Sequence, residues 1–401
     1  MSHNETTLHY PIVGDAALEP PSEWERLRRG CPIAEVRLPS GDAASLLTRH
    51  ADVKQVLSDP RFSRPTHNPD AARITANESG GVFNSEMAAS IPNGGPEHQR
   101  WRRAIGKWFT AKRMAALRPG IEDMAERLID EMVADGQPAD LKARLGFPLP
   151  VWVICELLGV PDADRDSFSG WSDAMLSLDR FTPRQVAEAQ AAFIAYLKSH
   201  VDAKRAAPRD DLLSTLIADA DYPMSDAELI ATGQGLLIAG HETTANMIGK
   251  MVAMLLSPRE RWERLVADRS LVRTAVEEAL RFDANAGFGM PRFIPDDAEI
   301  AGATVAGGST VVCSMAAANR DESAFDNAAD MDLGRSPNPH LAFGAGAHSC
   351  LGQALARTEL QAVLEVLLRR MPGLELAVPV ERLRRVEGLV VGGLREVPVR
   401  W

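Results

Sequence analysis

The sequence predicts a mainly α-helical fold with a small β region, arranged as a single domain over 1–401. Apolar residues recur at helical spacing along most of the chain, whereas the short alternating stretches typical of strands are a minority. Residues such as Pro60, Gly159 and Pro258 fall just beyond the ends of the periodic segments, where they stop helices. No Pro-, Ser- or Gly-rich linker, charge block or internal repeat divides the chain, so we expect one domain.

Eight segments have a clear helical period, and we expect an α-helix in each of them. Their bounds are 51–58, 97–117, 121–134, 148–159, 184–205, 226–256, 271–281 and 352–370. Strand-like segments are expected at 33–38, 44–48, 299–305, 310–313 and 396–401. Residues 62–95 are rich in Asn, Ser, Gly and Pro and have weak periodicity, which predicts a mobile loop.

Composition limits the class of protein and its partners. With 45% hydrophobic and 25% charged residues, the chain has the make-up of a globular protein that buries a large core. A net charge of −11 argues against nucleic acid or an anionic membrane as a partner. The most apolar stretch, 229–256, contains Glu242 and Lys250, which favours a buried helix over a membrane span. Residues 1–10 lack the basic and apolar regions of a signal peptide, so we expect a soluble cytoplasmic protein.

One segment departs from this acidic balance. Six cations fall within fourteen residues, and we refer to them as the basic segment: Arg100, Arg102, Arg103, Lys107, Lys112 and Arg113. Two interpretations stay open, a solvated helix face or a surface that meets an acidic partner.

The residues that point most strongly to chemistry are those of a glycine-rich loop at 343–352, which contains Cys350 and leads into a helical pattern. Gly344 and Gly346 permit positive φ angles and let the backbone approach a flat ligand closely. A sulfur at a helix N-terminus has its anionic form stabilised. The loop therefore favours a thiolate presented to a metal. The alternative is a buried cysteine beside an ordinary turn.

A second motif lies in the middle of the long apolar helix at 239–244, Ala-Gly-His-Glu-Thr-Thr. Gly and paired Thr are poor helix formers, and Glu242 is costly on a buried helix. The Thr243 hydroxyl can donate to the Ala239 carbonyl four residues earlier, which bends a helix and opens a groove. The alternative is that Gly240 serves only close packing on a neighbouring helix.

The loop at 343–352 matches every fixed position of the pattern Phe-Gly-x-Gly-x-His/Arg-x-Cys-x-Gly, and the chain therefore resembles the cytochrome P450 haem-thiolate monooxygenases. The resemblance extends over nearly the whole chain, through separate motifs in the family's usual order. It implies the cytochrome P450 fold, a helical core around haem with a small β-sheet region. It also implies haem b as cofactor, with Cys350 as the iron ligand and Phe343 and Gly344 beside the porphyrin.

The resemblance assigns roles to the other motifs. Thr243 is expected to hydrogen-bond dioxygen and Glu242 to help relay protons. The family's buried Glu-x-x-Arg pair corresponds to Glu278 and Arg281, completed by Arg335, although such a pair is also common on surfaces. Four basic residues in motif positions are expected to neutralise the haem propionates: His98, Arg102, Arg292 and His348.

The resemblance also implies the reaction and its partners. One oxygen atom of O₂ is inserted into a medium-to-large hydrophobic substrate, with electrons from a separate ferredoxin and ferredoxin reductase. The enzyme is expected to be a monomer and to act in secondary-metabolite biosynthesis. The expected pocket walls are 82–91, 168–178, 236–243, 284–290 and 389–391.

Two other functions remain as alternatives. A peroxide-driven haem-thiolate enzyme would not need Glu242 and Thr243, and that branch usually has an Arg near this point. The sequence has no Arg between 225 and 257. A non-catalytic haem-binding sensor would also not need this pair, and it usually carries a signalling module, of which no trace is visible.

Overall fold

The computed structural model describes residues 8–64, 68–75, 89–161, 164 and 166–401. Helices account for most of the described chain. They are α1 (Ser22–Gly30), α2 (His50–Ser58), α3 (Gly95–Gly106), α4 (Ala111–Asp135), α5 (Pro148–Leu158), α6 (Asp166–Met175), α7 (Pro183–Ala206), α8 (Leu212–Ala218), α9 (Asp226–Leu256), α10 (Glu260–Ala267), α11 (Val272–Phe282), α12 (Met315–Ala318) and α13 (Gln353–Arg370). A π-helical turn, Lys142–Gly146, precedes α5.

The described strands are short and form three small sheets. They are β1 (Leu8–His9), β2 (Ile33–Arg37), β3 (Ala43–Leu47), β4 (Ala139–Asp140), β5 (Met290–Ile294), β6 (Ala298–Ile300), β7 (Ala303–Val305), β8 (Ser309–Cys313), β9 (Glu375–Leu376) and β10 (Pro398–Arg400). The largest sheet has the order β1-β2-β3-β8-β5, the second has the order β4-β10-β9, and β6 pairs with β7. The strand β5 is the last strand of the largest sheet and is antiparallel to β8. Arg292 on β5 is opposite Val311 on β8 and therefore lies at the edge of the sheet.

The helix α9 is the centre of the helical core. It begins with a capping box, in which the Ser225 hydroxyl accepts from the Glu228 N–H while the Glu228 carboxylate accepts from the Ser225 N–H. Apolar residues lie around most of its circumference, as expected for a helix enclosed by others. It packs against α5, α7, α10, α11 and α13. The mid-helix motif at 239–244 is therefore held in the interior of the molecule.

The helix α13 follows the cysteine loop directly and anchors it to the core. It packs against α4, α9 and α11, and its apolar face includes the fully buried Val363, Leu364 and Leu367. The cysteine loop thus continues into one of the best-packed helices of the fold.

The long predicted helices are present, but the prediction for 97–117 and 121–134 is wrong at their junction. The first helix ends at Gly106, and the Thr110 hydroxyl accepts a hydrogen bond from the Arg113 N–H as the N-cap of α4. The second helix therefore starts ten residues earlier than predicted and includes Pro119 in its interior. A cap residue fixed this boundary, and the apolar period did not reveal it.

The strand predicted over 299–305 is instead the β6/β7 hairpin. Ala301 and Gly302 have φ angles of 54° and 77° and form its two-residue turn. The helices α1, α6, α8, α10 and α12 and the strands β1, β4, β5 and β9 were not predicted. The loop predicted at 62–95 lies partly outside the described residues.

No helix in the described part of the chain combines the length and the apolar character that crossing a lipid bilayer requires.

One acid in the core lacks a polar environment. Glu359 on α13 is 1% exposed, and its Oε2 atom has no hydrogen-bond partner among the described residues. Burial raises the pKa of this carboxyl well above its ordinary value near 4.5. The folded protein therefore keeps the Glu359 proton at a pH where the unfolded chain has lost it.

We expect Glu359→Gln to remove a pH dependence of stability. Because the pKa of Glu359 is higher in the folded state, wild-type stability falls as pH rises above about 4.5, by up to about 1.4 kcal/mol per pH unit until the folded pKa is reached. The amide variant lacks this loss, so its urea midpoint should exceed that of wild type by a growing margin between pH 5 and 8. Glu365→Gln, an exposed acid on the same helix, is the control. Parallel wild-type and Glu359→Gln curves would contradict the burial argument.

Candidate functional site

The cysteine loop is a compact turn closed by its own backbone. The Cys350 N–H donates to the Phe343 carbonyl at 2.8 Å. Gly344 and Gly346 have φ angles of 68° and 70°, which favour glycine. A Cβ atom on Gly346 would lie 2.6 Å from the Leu57 carbonyl oxygen, so this position also needs glycine for close packing on α2. These constraints fix the direction of the Cys350 side chain.

Cys350 is exposed, although protein surrounds it at longer range. Burial raises the pKa of the thiol, while a hydrogen bond from the Gly352 N–H and the charges of Arg102 and Arg357 act in the opposite direction. A metal cation bound at sulfur favours the thiolate further. The surroundings of Cys350 suit a metal-bound thiolate better than a free one.

Arg357 also holds the aromatic residue of the loop. Its guanidinium lies over the Phe343 ring, 4.4 Å from the ring centroid, and pairs with the Glu277 carboxylate at 2.7 Å. The ring is thereby held between α11 and α13.

Four of the predicted site residues come together from distant parts of the chain: His98, Arg102, Arg292 and His348. His98 and His348 face one another with ring centroids 4.3 Å apart. Burial and the charges of neighbouring arginines, among them Arg102 and Arg292, lower the pKa of His348 to about 3. The fifth member of this group is Arg64, which the sequence did not single out. Burial and the charges of Arg292 and Arg102 lower the pKa of Arg64 to about 10.

These five basic side chains have no acidic neighbour among the described residues. None of them forms an ion pair there, and burial lowers the pKa of all five. Neighbouring cations lower the pKa further at Arg64, His98 and His348, whereas the thiols of Cys350 and Cys313 act in the opposite direction at Arg102 and Arg292. The Nε atom of Arg64 and the Nδ1 atom of His348 are buried without a hydrogen-bond partner. Buried cations require anionic partners. The group therefore fits a ligand that carries more than one carboxylate, such as haem with its two propionates.

The hydrogen bond predicted within α9 is present. The Thr243 hydroxyl donates to the Ala239 carbonyl at 2.8 Å. Gly235, Ala239 and Thr243 are exposed along one stripe of a helix that is otherwise buried. Gly240 has a packing role as well, because a Cβ atom there would lie 2.8 Å from the Ile154 side chain on α5. Gly240 therefore serves close packing on a neighbouring helix, whereas Thr243 makes the predicted hydrogen bond on the exposed stripe.

Glu242 points away from this stripe into a polar cavity. Its carboxylate accepts from the Asn246 amide at 3.4 Å, and both side chains line a cavity of about 600 Å³. Charges of both signs line the same cavity: Lys142, Asp173, Arg180, Glu387 and Arg395. Burial and the Glu242 charge raise the pKa of Asp173. A polar cavity of this size has room for many water molecules.

Three expected pocket walls contribute to that cavity, and Glu242 belongs to the wall at 236–243. Asp173 belongs to 168–178, and Leu389 and Val391 belong to 389–391. The walls therefore carry charge that their apolar composition did not indicate. Within the expected wall at 82–91, residues 82–88 lie outside the described part of the chain.

The predicted ion pair on α11 is fully buried. Arg281 donates to both Glu278 carboxylate oxygens at 2.7 and 2.8 Å, and both side chains are 0% exposed. Arg335 donates to the same carboxylate at 3.0 Å. Asn338, which the sequence did not suggest, donates at 3.1 Å, and so does the Asp332 N–H at 2.8 Å. Arg281 also donates to backbone carbonyls of 319, 328 and 330, so the network secures the irregular segment before the cysteine loop.

Comparison with known proteins agrees with this geometry. Residues 262–372 match the family model described as cytochrome P450. The chain is 41% identical to mycinamicin IV hydroxylase/epoxidase from Micromonospora griseorubida, over 98% of each chain. It is also 41% identical to nocardicin C N-oxygenase from Nocardia uniformis subsp. tsuyamanensis, over 98% of this chain and 99% of that one.

A solved structure with a similar fold is that of LnmA, a cytochrome P450 hydroxylase from the leinamycin biosynthetic pathway of Streptomyces atroolivaceus. The TM-score is 0.88 and the sequences are 40% identical, with 98% of this chain and 100% of that chain covered. Identity at this level over almost the whole length shows that the chain belongs to the cytochrome P450 family and is a haem-iron monooxygenase.

Proposed function

We propose that this monooxygenase inserts one oxygen atom of O₂ into a medium-to-large, largely hydrophobic substrate during the biosynthesis of a secondary metabolite. Relatives that act on mycinamicin IV and nocardicin C, and one from the leinamycin pathway, support this role. The observation that carries the proposal is the cysteine loop, with its accessible Cys350 sulfur, beside a group of buried basic side chains. In our proposal the enzyme acts in the cytoplasm, as a monomer and a single domain.

The cofactor in this proposal is haem b. Cys350 binds its iron, Phe343 and Gly344 lie beside its ring, and four basic residues pair with its two propionates: His98, Arg102, Arg292 and His348. The tight loop around Gly344 and Gly346 supports this assignment, because it brings backbone close to the sulfur without intervening side chains. The network of Glu278, Arg281 and Arg335 maintains the segment that leads to the loop.

Haem with a thiolate ligand supplies the activation and cleavage of O₂. The Thr243 hydroxyl, which donates to the Ala239 carbonyl in this structure, lies on the exposed stripe of α9 and would hydrogen-bond O₂ bound there. Glu242, whose carboxylate lines the polar cavity, relays protons supplied by water there. The net reaction consumes the substrate, O₂, two electrons and two protons and yields the oxygenated product and water.

The electrons come from a ferredoxin and its reductase, which dock through the basic segment. A Cβ atom on Gly106 would lie 3.9 Å from the Leu351 side chain, so the end of α3 borders the cysteine loop. Arg100 pairs with Glu97 and Lys107 with Asp219. The exposed cations left for a partner are Arg103, Lys112 and Arg113, of which Arg113 lies over the Trp108 ring.

We expect the reduced, carbon monoxide-treated protein to have the red-shifted Soret band of thiolate-ligated haem, measured by difference spectroscopy. In Cys350→His this band should disappear because nitrogen replaces sulfur on the iron. Cys31→Ser, which removes an exposed cysteine elsewhere, should keep it. A histidine-type spectrum from freshly folded wild type would refute the cofactor assignment.

Thr243→Ala should divert electrons from product to hydrogen peroxide. Removing one hydrogen bond worth about 1 kcal/mol should raise the ratio of peroxide to product about fivefold. The substrate would be any compound, mycinamicin IV included, that converts the wild-type haem from low to high spin. Affinity for that compound should change little. Thr244→Ala is the control, and equal coupling in wild type and Thr243→Ala would remove Thr243 from the mechanism.

Charge reversal in the basic segment should slow electron delivery at low salt. Arg103→Glu and Lys112→Glu weaken attraction to an acidic ferredoxin, and the defect should shrink with salt as the Debye length falls from about 10 Å at 0.1 M to about 3 Å at 1 M. Stopped-flow reduction of the haem by reduced ferredoxin measures the rate. Arg184→Glu, an equal charge change on α7, is the control. Wild-type rates in both segment variants at low salt would leave the segment as a solvated surface.

A further inference from the structure

Arg64 lies directly across from Arg292 in a short antiparallel pairing. Ser63 forms an antiparallel bridge with Phe293, and the Phe293 N–H donates to the Ser63 carbonyl at 2.8 Å. One step along each strand from this bridge, in opposite directions, are Arg64 and Arg292. Residues opposed in this way project to the same face, with Cβ atoms about 4.5–5.5 Å apart. The fold therefore directs two guanidinium groups into the same space.

No carboxylate among the described residues compensates either guanidinium. Arg292 is 1% exposed, and its one hydrogen bond among the described residues is to the carbonyl of the adjacent Pro291. The Nε atom of Arg64 is buried and has no partner. Like charges directly opposite one another destabilise a sheet, and the low-dielectric interior strengthens their repulsion. An anion between the two would remove this repulsion.

Arg61, three residues before Arg64, shows how an ordinary arginine of this segment behaves. It is exposed, and it forms a two-pronged ion pair with Asp59 that brings Nη2 to 2.6 Å from Oδ2. No described acid pairs with the Arg64 side chain in this way. The backbone carbonyl of Arg64 accepts a hydrogen bond from the Asn93 side-chain amide at 3.2 Å. The backbone at Arg64 is thus fixed while its side chain is left for a ligand.

We propose that Arg64 is a further cofactor-binding residue, which together with Arg292 holds one carboxylate of the haem. This inference rests on the proposed function, since it requires haem at Cys350. A planar guanidinium can donate two parallel hydrogen bonds to a carboxylate, a geometry that a lysine ammonium does not reproduce. Two opposed arginines can therefore bind a single propionate from both sides.

The test compares Arg64→Leu, Arg64→Lys and Arg61→Leu as holoenzymes. Haem release is followed by transfer to excess apomyoglobin, and hydrogen bonding to the propionates by the propionate bending bands in the resonance Raman spectrum. We expect Arg64→Leu to release haem about ten to a hundred times faster than wild type, as for a lost hydrogen bond between charged groups, and to shift a bending band. Arg64→Lys should fall between wild type and Arg64→Leu. Arg61→Leu should match wild type in both measurements.

Failure of this inference is distinguishable from failure of the proposed function. If wild type binds haem with the thiolate-type carbon monoxide band, but Arg64→Leu keeps wild-type haem release and bending bands, then Arg64 does not bind the cofactor. Faster release with unchanged bands would also overturn the proposal, because the loss would then come from a weakened fold rather than a lost contact. Should Arg64→Leu fail to fold, Arg64→Lys provides the same comparison with the charge retained.

Discussion

The site depends on a surplus of positive charge carried by three arginines, of which Arg292 is fully buried. Arg64, Arg102 and Arg292 lie with two histidines in one interior region, and no described carboxylate pairs with any of the five. Such a group is costly in a folded chain unless a ligand supplies the opposite charge. A ligand that binds only the folded state and removes this cost stabilises the fold by mass action. Cofactor binding and folding of this region are therefore linked.

The central helix α9 meets two opposing requirements with adjacent residues. Its apolar circumference must be buried to hold the core together, yet its middle must present polar atoms to the reaction. The two side chains satisfy these requirements by pointing to different sides of the helix. Thr243 belongs to the exposed stripe, and Glu242 lies about 100° around the helix, in the polar cavity. Small residues such as Ala239 leave space on the first side, and Asn246 extends the polar surface on the second. Within one turn of α9, Thr243 and Glu242 thus face two different sides of the helix.

The sequence predicts those features of the fold and the site that are encoded by residues close together in the chain. The cysteine loop, the α9 motif and the Glu278–Arg281 pair are each encoded within ten residues, and the long helices are encoded by their own periods. Arg64 could not be predicted because its importance arises only from pairing with a strand more than two hundred residues away. The start of α4 depended on a single hydroxyl at Thr110, and the β6/β7 turn on two positive φ angles. Boundaries and distant pairings were therefore lost, whereas periodic and motif-borne features were retained.

Two pairs of arginines clarify how the chain divides its tasks. Arg281 and Arg335 share the Glu278 carboxylate, so their charges are balanced by the protein alone. Arg64 and Arg292 oppose one another without an acid, so their charges are balanced only when an anion binds. The first arrangement can form as soon as the chain folds, and it secures the segment before Cys350. The second stays unfavourable until the ligand arrives. In our proposal, the protein builds the sulfur side of the site in advance and leaves the carboxylate side to be completed by the cofactor, so that haem affinity and local stability measure the same electrostatic balance.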